Sequence, residues 1–594
     1  MPSNSMPQQV SAWILDDLFP SANVSAMAEV ENELDQHTVA FEEWRQHLSP
    51  DISIDSFLQI IQALEDIHKA FDHIYGYHGL RFYADTQDQQ AQAALAQIQQ
   101  FAAEIENRTL FFSLWWKYLD DDQAERLLAG SGDYRYWLEL LRRFKPHTLA
   151  ESEEKIINLK NVSGVQAMRR IYETITNRYT FHLDGVDGLA ADKPLTREEL
   201  MTYVRHPNPT VREKAYRELY RVYSADAPLL GQLYESIVRD WHNENMTLRH
   251  FTSPNAVRNL ENDVPDDVVD ILLEVCKENA PLFQRFFVLK ARELGLPGLR
   301  RFDLYAPLTK TKKTYAFDQA VTWVSQAFAA FDERLADLAM RVLDARHLDS
   351  ESRTGKRSGA FSWSVTNDLV PWVLINYQGQ TDDITTLAHE LGHAVHAQLA
   401  GHHSLFTYQA SLPLAETAST FAEMLMVEKL LEMEEDASVR RSLLFQQMDD
   451  AYATIMRQAF FGLFERQAHA AFQQGATAQE VAGLYKENLA LQFGNALEVD
   501  DLFRWEWTSI PHFFETPFYV YAYSFGQLFV LSLYQQYKQE GANFIPRYLR
   551  ILEAGGAKAP IQILAEAGMD ATQSSFWNGG FRILTGWLEH LEKD

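Results

Sequence analysis

Cysteine is nearly absent. Cys276 is the only one in 594 residues, so no internal disulfide can form and no cysteine-ligated metal cluster is available. A basic excess is missing as well. Lys and Arg total 53 against 82 Asp and Glu, a net charge of -29, which argues against nucleic acid or an anionic membrane as partner, since both attract Lys and Arg. No apolar run is long enough to span a bilayer. The most apolar long stretch, YVYAYSFGQLFVLSLY (519–534), is interrupted by Ser524, Gly526 and Gln527. The opening MPSNSMPQQVSAWILDDLFP lacks a basic segment followed by an apolar one, so the expectation is a cytoplasmic protein without a secretory signal. Repeats and low-complexity linkers are also lacking, and no feature calls for an obligate protein partner.

What the chain does have is material for large cores. Hydrophobic residues make up 46% and aromatics 12%, and the length exceeds that of a single-core domain. Helical patterns dominate. SFLQIIQALEDIHKAFDHIYGY and VVDILLEVCKENAPLFQRFFVLKARELG repeat apolar residues at steps of three and four. Thr148 with Glu151, and Thr210 with Glu213, have the spacing of helix-starting capping boxes. The stretch HLDGVDGLAADKP (182–194), rich in Gly and Asp, predicts a boundary. It divides an N-terminal helical lobe (1–195) from a catalytic region (196–594). Strand signals cluster in one place, GAFSWSV (359–365) and PWVLINYQG (371–379), which predicts a small sheet.

Directly after those strands comes ITTLAHELGHAVHAQLAG, with Asp382 and Asp383 offering N-cap oxygens and Gly401 a natural stop. On such a helix His389 and His393 lie one turn apart on the same side and can share one metal ion. Glu390, about 100° further round, can reach a water beside that ion without ligating it. This His-Glu-x-x-His arrangement suits zinc, with neutral nitrogen donors and a carboxylate for acid/base work. The competing reading is chance, since the spacing should arise in on the order of a few per cent of chains this rich in His and acid. A capped helix, an adjoining strand pair and a downstream carboxylate are not expected to accompany a chance match. His396 returns to the same face, but two turns along it suits a supporting place better than a ligand's.

A third protein ligand is needed for a catalytic zinc. A histidine ten residues after the first is excluded, because position 399 is Leu. His402 and His403 follow the helix stop and read as solvated loop residues. Two glutamates downstream, Glu416 and Glu423 in SLPLAETASTFAEMLMVEKLL, lie seven apart on one helical face. Pattern alone leaves open which ligates and which orients a ligand. Lys356, Arg357 and the Asp382/Asp383 pair read as surface or structural.

Three segments, GKRSGAF, INYQGQTDDITTLAHELGHAVH and PLAETASTFAE, closely resemble the oligoendopeptidase F family, relatives of thimet oligopeptidase and neurolysin. RRFKPHTLAESEEKII, LTREELMTYVRHPNPTVREKAYRELY and AGGAKAPIQILAEAGMD resemble family segments in the same order, so the likeness covers most of the chain from about residue 100 onward. It implies that Glu416, opening E-x-x-S, is the third ligand of one zinc ion per chain, leaving Glu423 to support. It also implies that His512 and a tyrosine donate hydrogen bonds to substrate and transition state. Tyr523 is the best match, with Tyr519 and Tyr521 as alternatives. The region between His512 and Tyr523 has Phe514 and Pro517 where the thimet branch has a further tyrosine. Most rings in this run are expected to be core packing.

The implied fold is mainly α. It is a two-lobed helical metallopeptidase with a deep substrate channel and a small sheet beside the active-site helix. The implied activity is endopeptidase hydrolysis of short unfolded peptides, by attack of zinc-bound water assisted by Glu390. The strand that begins at Gly359 and Ala360 is a candidate edge on which an extended peptide could pair. Two other readings compete with this one. A metallocarboxypeptidase or dipeptidyl carboxypeptidase on a similar scaffold would need a group to hold the terminal carboxylate. A non-catalytic zinc-containing peptide-binding protein would have no use for Glu390.

Overall fold

The computed structural model describes residues 9–19, 24–186, 193–308 and 313–593. Part of the N-terminal stretch read for a signal (1–8 and 20) and the middle of the predicted boundary (187–192) lie outside the described residues. The chain forms two compact units, each built from three segments. The first comprises Met1–Lys145, Lys312–Met433 and Gln536–Met569, and the second comprises Pro146–Thr311, Glu434–Gln535 and Asp570–Asp594. Residue 195 falls inside the second unit, so a single cut there does not coincide with the division.

The first unit opens with α1 (Val24–Glu43), α2 (Ile54–Ala84) and α3 (Gln89–Tyr118), packed on one another. Their periodic apolar faces meet in a core that includes Leu34, Phe57, Ile60, Phe112 and Trp116. Ser53 starts α2 by accepting a hydrogen bond from Ser56 N at 3.1 Å, and Asp88 starts α3 by accepting from Gln90 N and Ala91 N. Further along the unit come α4 (Phe317–Phe331) and α5 (Glu333–Asp344).

A three-stranded sheet follows, made of β1 (Leu348–Asp349), β2 (Phe361–Trp363) and β3 (Trp372–Leu374) in the order β1-β3-β2. β3 is central and fully buried. It runs parallel to β1 and antiparallel to β2, with Phe361 opposite Leu374 and Trp363 opposite Trp372. The two strands read from the sequence are thus paired, and β2 is an edge. Next come α6 (Thr381–Ala400), against which the sheet packs, and α7 (Thr417–Met433), packed on α6.

The second unit is helical around a core crossed by buried ion pairs. Arg212 holds Asp303 at 2.7 Å, and Lys290 holds Asp449 at 2.6 Å. Both capping boxes expected from sequence fall here, and both are displaced. One helix starts at Glu151 behind Ala150, and Glu153, not Thr148, satisfies the start by accepting from Ala150 N at 2.9 Å. The other starts at Pro209, whose fixed φ suits a first helical turn, so the cap moves back to Asn208, which accepts from Thr210 N at 2.9 Å. Cys276 is a free thiol, buried in the helix Asp266–Glu278. Among the described residues no helix is long and apolar enough to cross a membrane.

Candidate active site

The histidine helix α6 begins behind Gln380. The Asp383 carboxylate accepts from Gln378 N and Gln380 N, each at 2.8 Å, a favourable place for negative charge. The expected cap is displaced: Gln380 stands at the N-cap, and Asp383, already at the third helical position, reaches back to it from inside the helix. At the far end the backbone turns at Gly401. His389 and His393 project from one side with ring centroids 5.0 Å apart. Glu390 turns inward and is only 7% exposed.

A close approach by α7 completes the cluster. Gly392 faces the first turn of α7, where an added Cβ would stand 2.7 Å from both the Ala418 carbonyl oxygen and Ser419 Cα. Only glycine allows this contact. The short helix Leu412–Ala415 ends at Glu416, just before α7 starts, and this break turns the Glu416 side chain toward the histidines. Ser419 Oγ donates to Glu416 Oε2 at 2.7 Å, and Tyr548 OH donates to the Thr417 carbonyl at 3.1 Å, which fix the turn.

Glu416 Oε2 lies 3.3 Å from His389 Nε2 and 3.4 Å from His393 Nε2. The ligand atoms of the three residues are all within 4.8 Å of one another. A tetrahedral zinc with bonds of about 2.0 Å has edges of about 3.3 Å between neighbouring ligands, so these residues fit that ion in type and spacing. On the opposite ring nitrogen, His389 Nδ1 is 3.4 Å from Glu423 Oε2. A carboxylate there holds the Nδ1 proton and leaves Nε2 free to ligate. The two glutamates that pattern could not separate therefore occupy opposite sides of one imidazole.

Burial by itself would lower the pKa of His389, but hydrogen bonds to Glu416 and Glu423 outweigh it and push the ring up to about 10. Burial raises Glu416, yet its hydrogen bonds to the two histidines dominate and hold it well below the usual carboxylate range. Burial raises Glu390, against the opposing charges of His389 and His393. His396 is buried and pushed down to about 4, first by burial and then by the charge on His393, so it stays neutral and is not among the three clustered ligands.

Gly359 is exposed in a left-handed turn (φ 82°) before β2, and Asn376 Nδ2 donates to its carbonyl at 2.9 Å; Ala360 is half-buried beside it. In the second unit His512 Nε2 and Tyr523 OH are 3.2 Å apart, and Tyr523 is 37% exposed. Tyr519 stands with them, its ring 5.3 Å from Tyr523 and parallel to His512 at 6.2 Å. Tyr521 points the other way. It is 3% exposed and its hydroxyl accepts from Asn262 Nδ2 at 3.0 Å, so it belongs to the core and does not join that cluster.

One further reading changes, and one is narrowed from surface or structural to structural. His403 is not a solvated loop residue, because its ring bridges Asp133 at 2.7 Å and the Glu553 carbonyl at 3.0 Å. Lys356 is wholly buried, 2.8 Å from Asp349, and donates to the carbonyls of Asp349, Glu351 and Ile375, so its role is structural. Sequence reading missed a group of arginines beside His512, namely Arg197, Arg301 and Arg457. They are scattered over 260 positions (457 minus 197), and no local spacing marks them.

Comparison with known proteins decides the family. A model of peptidase family M3 matches residues 202–583, which include every residue of the histidine–glutamate cluster, and one of oligopeptidase F matches residues 115–181. The chain belongs to peptidase family M3. The M3 assignment makes it a metalloendopeptidase of oligopeptides, in a family of zinc metallopeptidases. It is 26% identical over 547 residues to the group B oligopeptidase PepB of Streptococcus agalactiae, covering 91% of this chain and 90% of that protein. It is 27% identical over 590 residues to an oligoendopeptidase F homolog of Borreliella burgdorferi, covering 98% of each. In fold, this M3 peptidase is similar to a crystal structure of a peptidase from Chlamydophila abortus (TM-score 0.89, 24% identity, 100% and 99% covered). It is also similar to that of oligoendopeptidase-F from Enterococcus faecium (TM-score 0.70, 22% identity, 98% and 99% covered). The mainly α fold expected from sequence is the one found.

Proposed function

We propose that this M3 peptidase is a zinc-dependent endopeptidase cleaving internal bonds of short, unfolded peptides. In this reading His389, His393 and Glu416 hold one zinc ion per chain. The observation that carries it is the convergence of those three ligand atoms, with His389 held from behind by Glu423. When bound, zinc supplies Lewis-acid polarisation of the scissile carbonyl and lowers the pKa of water toward about 7.

Glu390 is the acid/base group. Its carboxylate takes a proton from the attacking water as the hydroxyl oxygen bonds to the carbonyl carbon. It then returns that proton to the amide nitrogen as the C–N bond breaks. Burial raises its pKa, which makes it a stronger base than an exposed glutamate. Glu423 fixes the tautomer of His389. His512 and Tyr523 are the candidate donors to substrate, a role that rests on the family resemblance and is supported by their mutual contact. Such a donor is typically worth about 3 kcal/mol of transition-state stabilisation. The free side of β2, from Gly359 and Ala360 onward, is a candidate edge for main-chain pairing with a peptide.

The test pairs metal content with cleavage of a peptide of about ten residues blocked at both ends. Wild type is expected to hold one zinc and cut internally. Glu390→Gln should keep the zinc and lose about 10²- to 10⁴-fold in kcat. Cleavage of only unblocked peptides would favour the carboxypeptidase readings. Zinc bound with no cleavage of any peptide would leave a binding protein.

A further inference from the structure

Next to His512, within the second unit, lies a cavity of about 200 Å³. Its walls carry the guanidinium groups of Arg197, Arg301 and Arg457 and a single carboxylate, Glu506. Arg301 Nη2 and Arg457 Nη2 both donate to the same oxygen, Glu506 Oε1, at 2.6 and 3.1 Å. Arg197 Nη2 donates to the Ser509 carbonyl at 3.4 Å. Arg301 Nε, Arg301 Nη1 and Arg197 Nε are buried with no hydrogen-bond partner among the described residues, and so are three oxygens of the lining, Glu506 Oε2, Gln458 Oε1 and the Tyr305 hydroxyl. Burial, and then the charge of Arg457, hold the His512 ring below its ordinary pKa, so it is neutral at pH 7. Three cations against one anion leave two positive charges around the cavity.

Of the three guanidiniums only that of Arg301 is fully buried, while Arg197 and Arg457 are half-buried, and each buried donor left without an acceptor is costly. Water could fill the volume, but it would not neutralise the charge. The guanidinium planes are also held in place. Arg301 lies over the Phe503 ring at 4.9 Å and Arg457 over the Phe461 ring at 4.8 Å. Held planar donors in a fork are the partners that a carboxylate accepts from most strongly.

We propose that this cavity is a binding site for a carboxylate, taken up by Arg197, Arg301 and Arg457 beside His512. Two sources share that chemistry, a small free carboxylate and the C-terminal carboxylate of a peptide. The second rests on the reading of this protein as a peptidase, and the first does not.

The test begins with acetate, titrated into the full chain and followed by saturation-transfer NMR. One saturable site is expected, with affinity about ten- to a hundredfold weaker in Arg457→Gln. Because Arg457 is paired with Glu506, Arg197→Gln is measured alongside, and circular dichroism establishes that each variant is folded. Acetate that fails to bind wild type, or binds equally to wild type and both folded variants, overturns the proposal.

The source is settled with N-acetyl tetrapeptides ending in a free acid or an amide, titrated into Glu390→Gln so that they remain intact. A preference of tenfold or more for the acid, abolished in the arginine variants, assigns the site to the peptide terminus. Equal binding of acid and amide, with arginine-dependent acetate binding retained, assigns it to a free carboxylate. Failure of wild type to cut any blocked peptide while acetate still binds would sink the endopeptidase reading and leave this site standing.

Discussion

Glu423 and Glu465 show how one carboxylate in a different setting does a different job. Glu423 meets the back of the His389 imidazole, so its effect should appear in the metal affinity proposed for that ring. Glu423→Gln keeps an acceptor but loses the charge that makes His389 a stronger donor to metal. Zinc affinity, read by competition with a chromophoric chelator, is expected to fall about 10- to 100-fold. Unchanged affinity would place Glu423 outside the metal's influence. Glu465 is buried in the second unit, accepts from Phe518 N at 2.9 Å and is pushed up to about 8, chiefly by burial. Its folded-state pKa thus exceeds the unfolded value near 4.5. The native state keeps a proton that the unfolded state releases, so this contribution is full below about pH 4.5 and declines as pH rises to about 8. In Glu465→Gln, which mimics the neutral acid, the loss of stability between pH 5 and pH 8 should be smaller than in wild type. Urea midpoints at the two pH values measure it, and an identical loss in both proteins would contradict the assignment.

At the scale of elements, α6 was legible because its information is local. The His-Glu-x-x-His spacing, the acid at its start and Gly401 at its end all lie within about twenty residues. The edge strand and its partner were legible for the same reason, through alternation and β-branched content. The choice between Glu416 and Glu423 was not, because both lie on one face of a continuous helical pattern. What separates them is the break after Ala415 and the seating of Gly392 on Ala418 and Ser419, a contact between elements. That contact predicts an outcome. In Gly392→Ala the new methyl meets backbone on both sides, so α7 must retreat by a few tenths of an ångström or more. A stability loss of about 1–3 kcal/mol is expected, with weaker zinc binding because Glu416 moves with α7. Thermal melting and metal content measure the two effects. A variant with wild-type values for both would show that the two helices tolerate a wider spacing.

For the whole chain, the helical class and the paired histidines could be read from local patterns, but the division into units could not. Each unit gathers three separated segments, and contiguity along the chain carries no mark of that. The arginines around Glu506 were hidden for the same reason. His389, His393 and Glu416, the residues proposed to hold zinc, belong together with Glu390 and Glu423 to the segment Lys312–Met433 of the first unit, so bound metal should stabilise that unit directly. Binding to the native state alone adds RT ln(1 + [L]/Kd), about 2.7 kcal/mol when free zinc is a hundred times Kd. Chelation should therefore lower the melting temperature of the transition that includes the first unit. Calorimetry that resolves two transitions should show one moving and the other staying. The absence of any zinc-dependent shift would mean that the cluster does not hold the ion in the folded chain. Equal movement of both would mean that the two units unfold as one cooperative body.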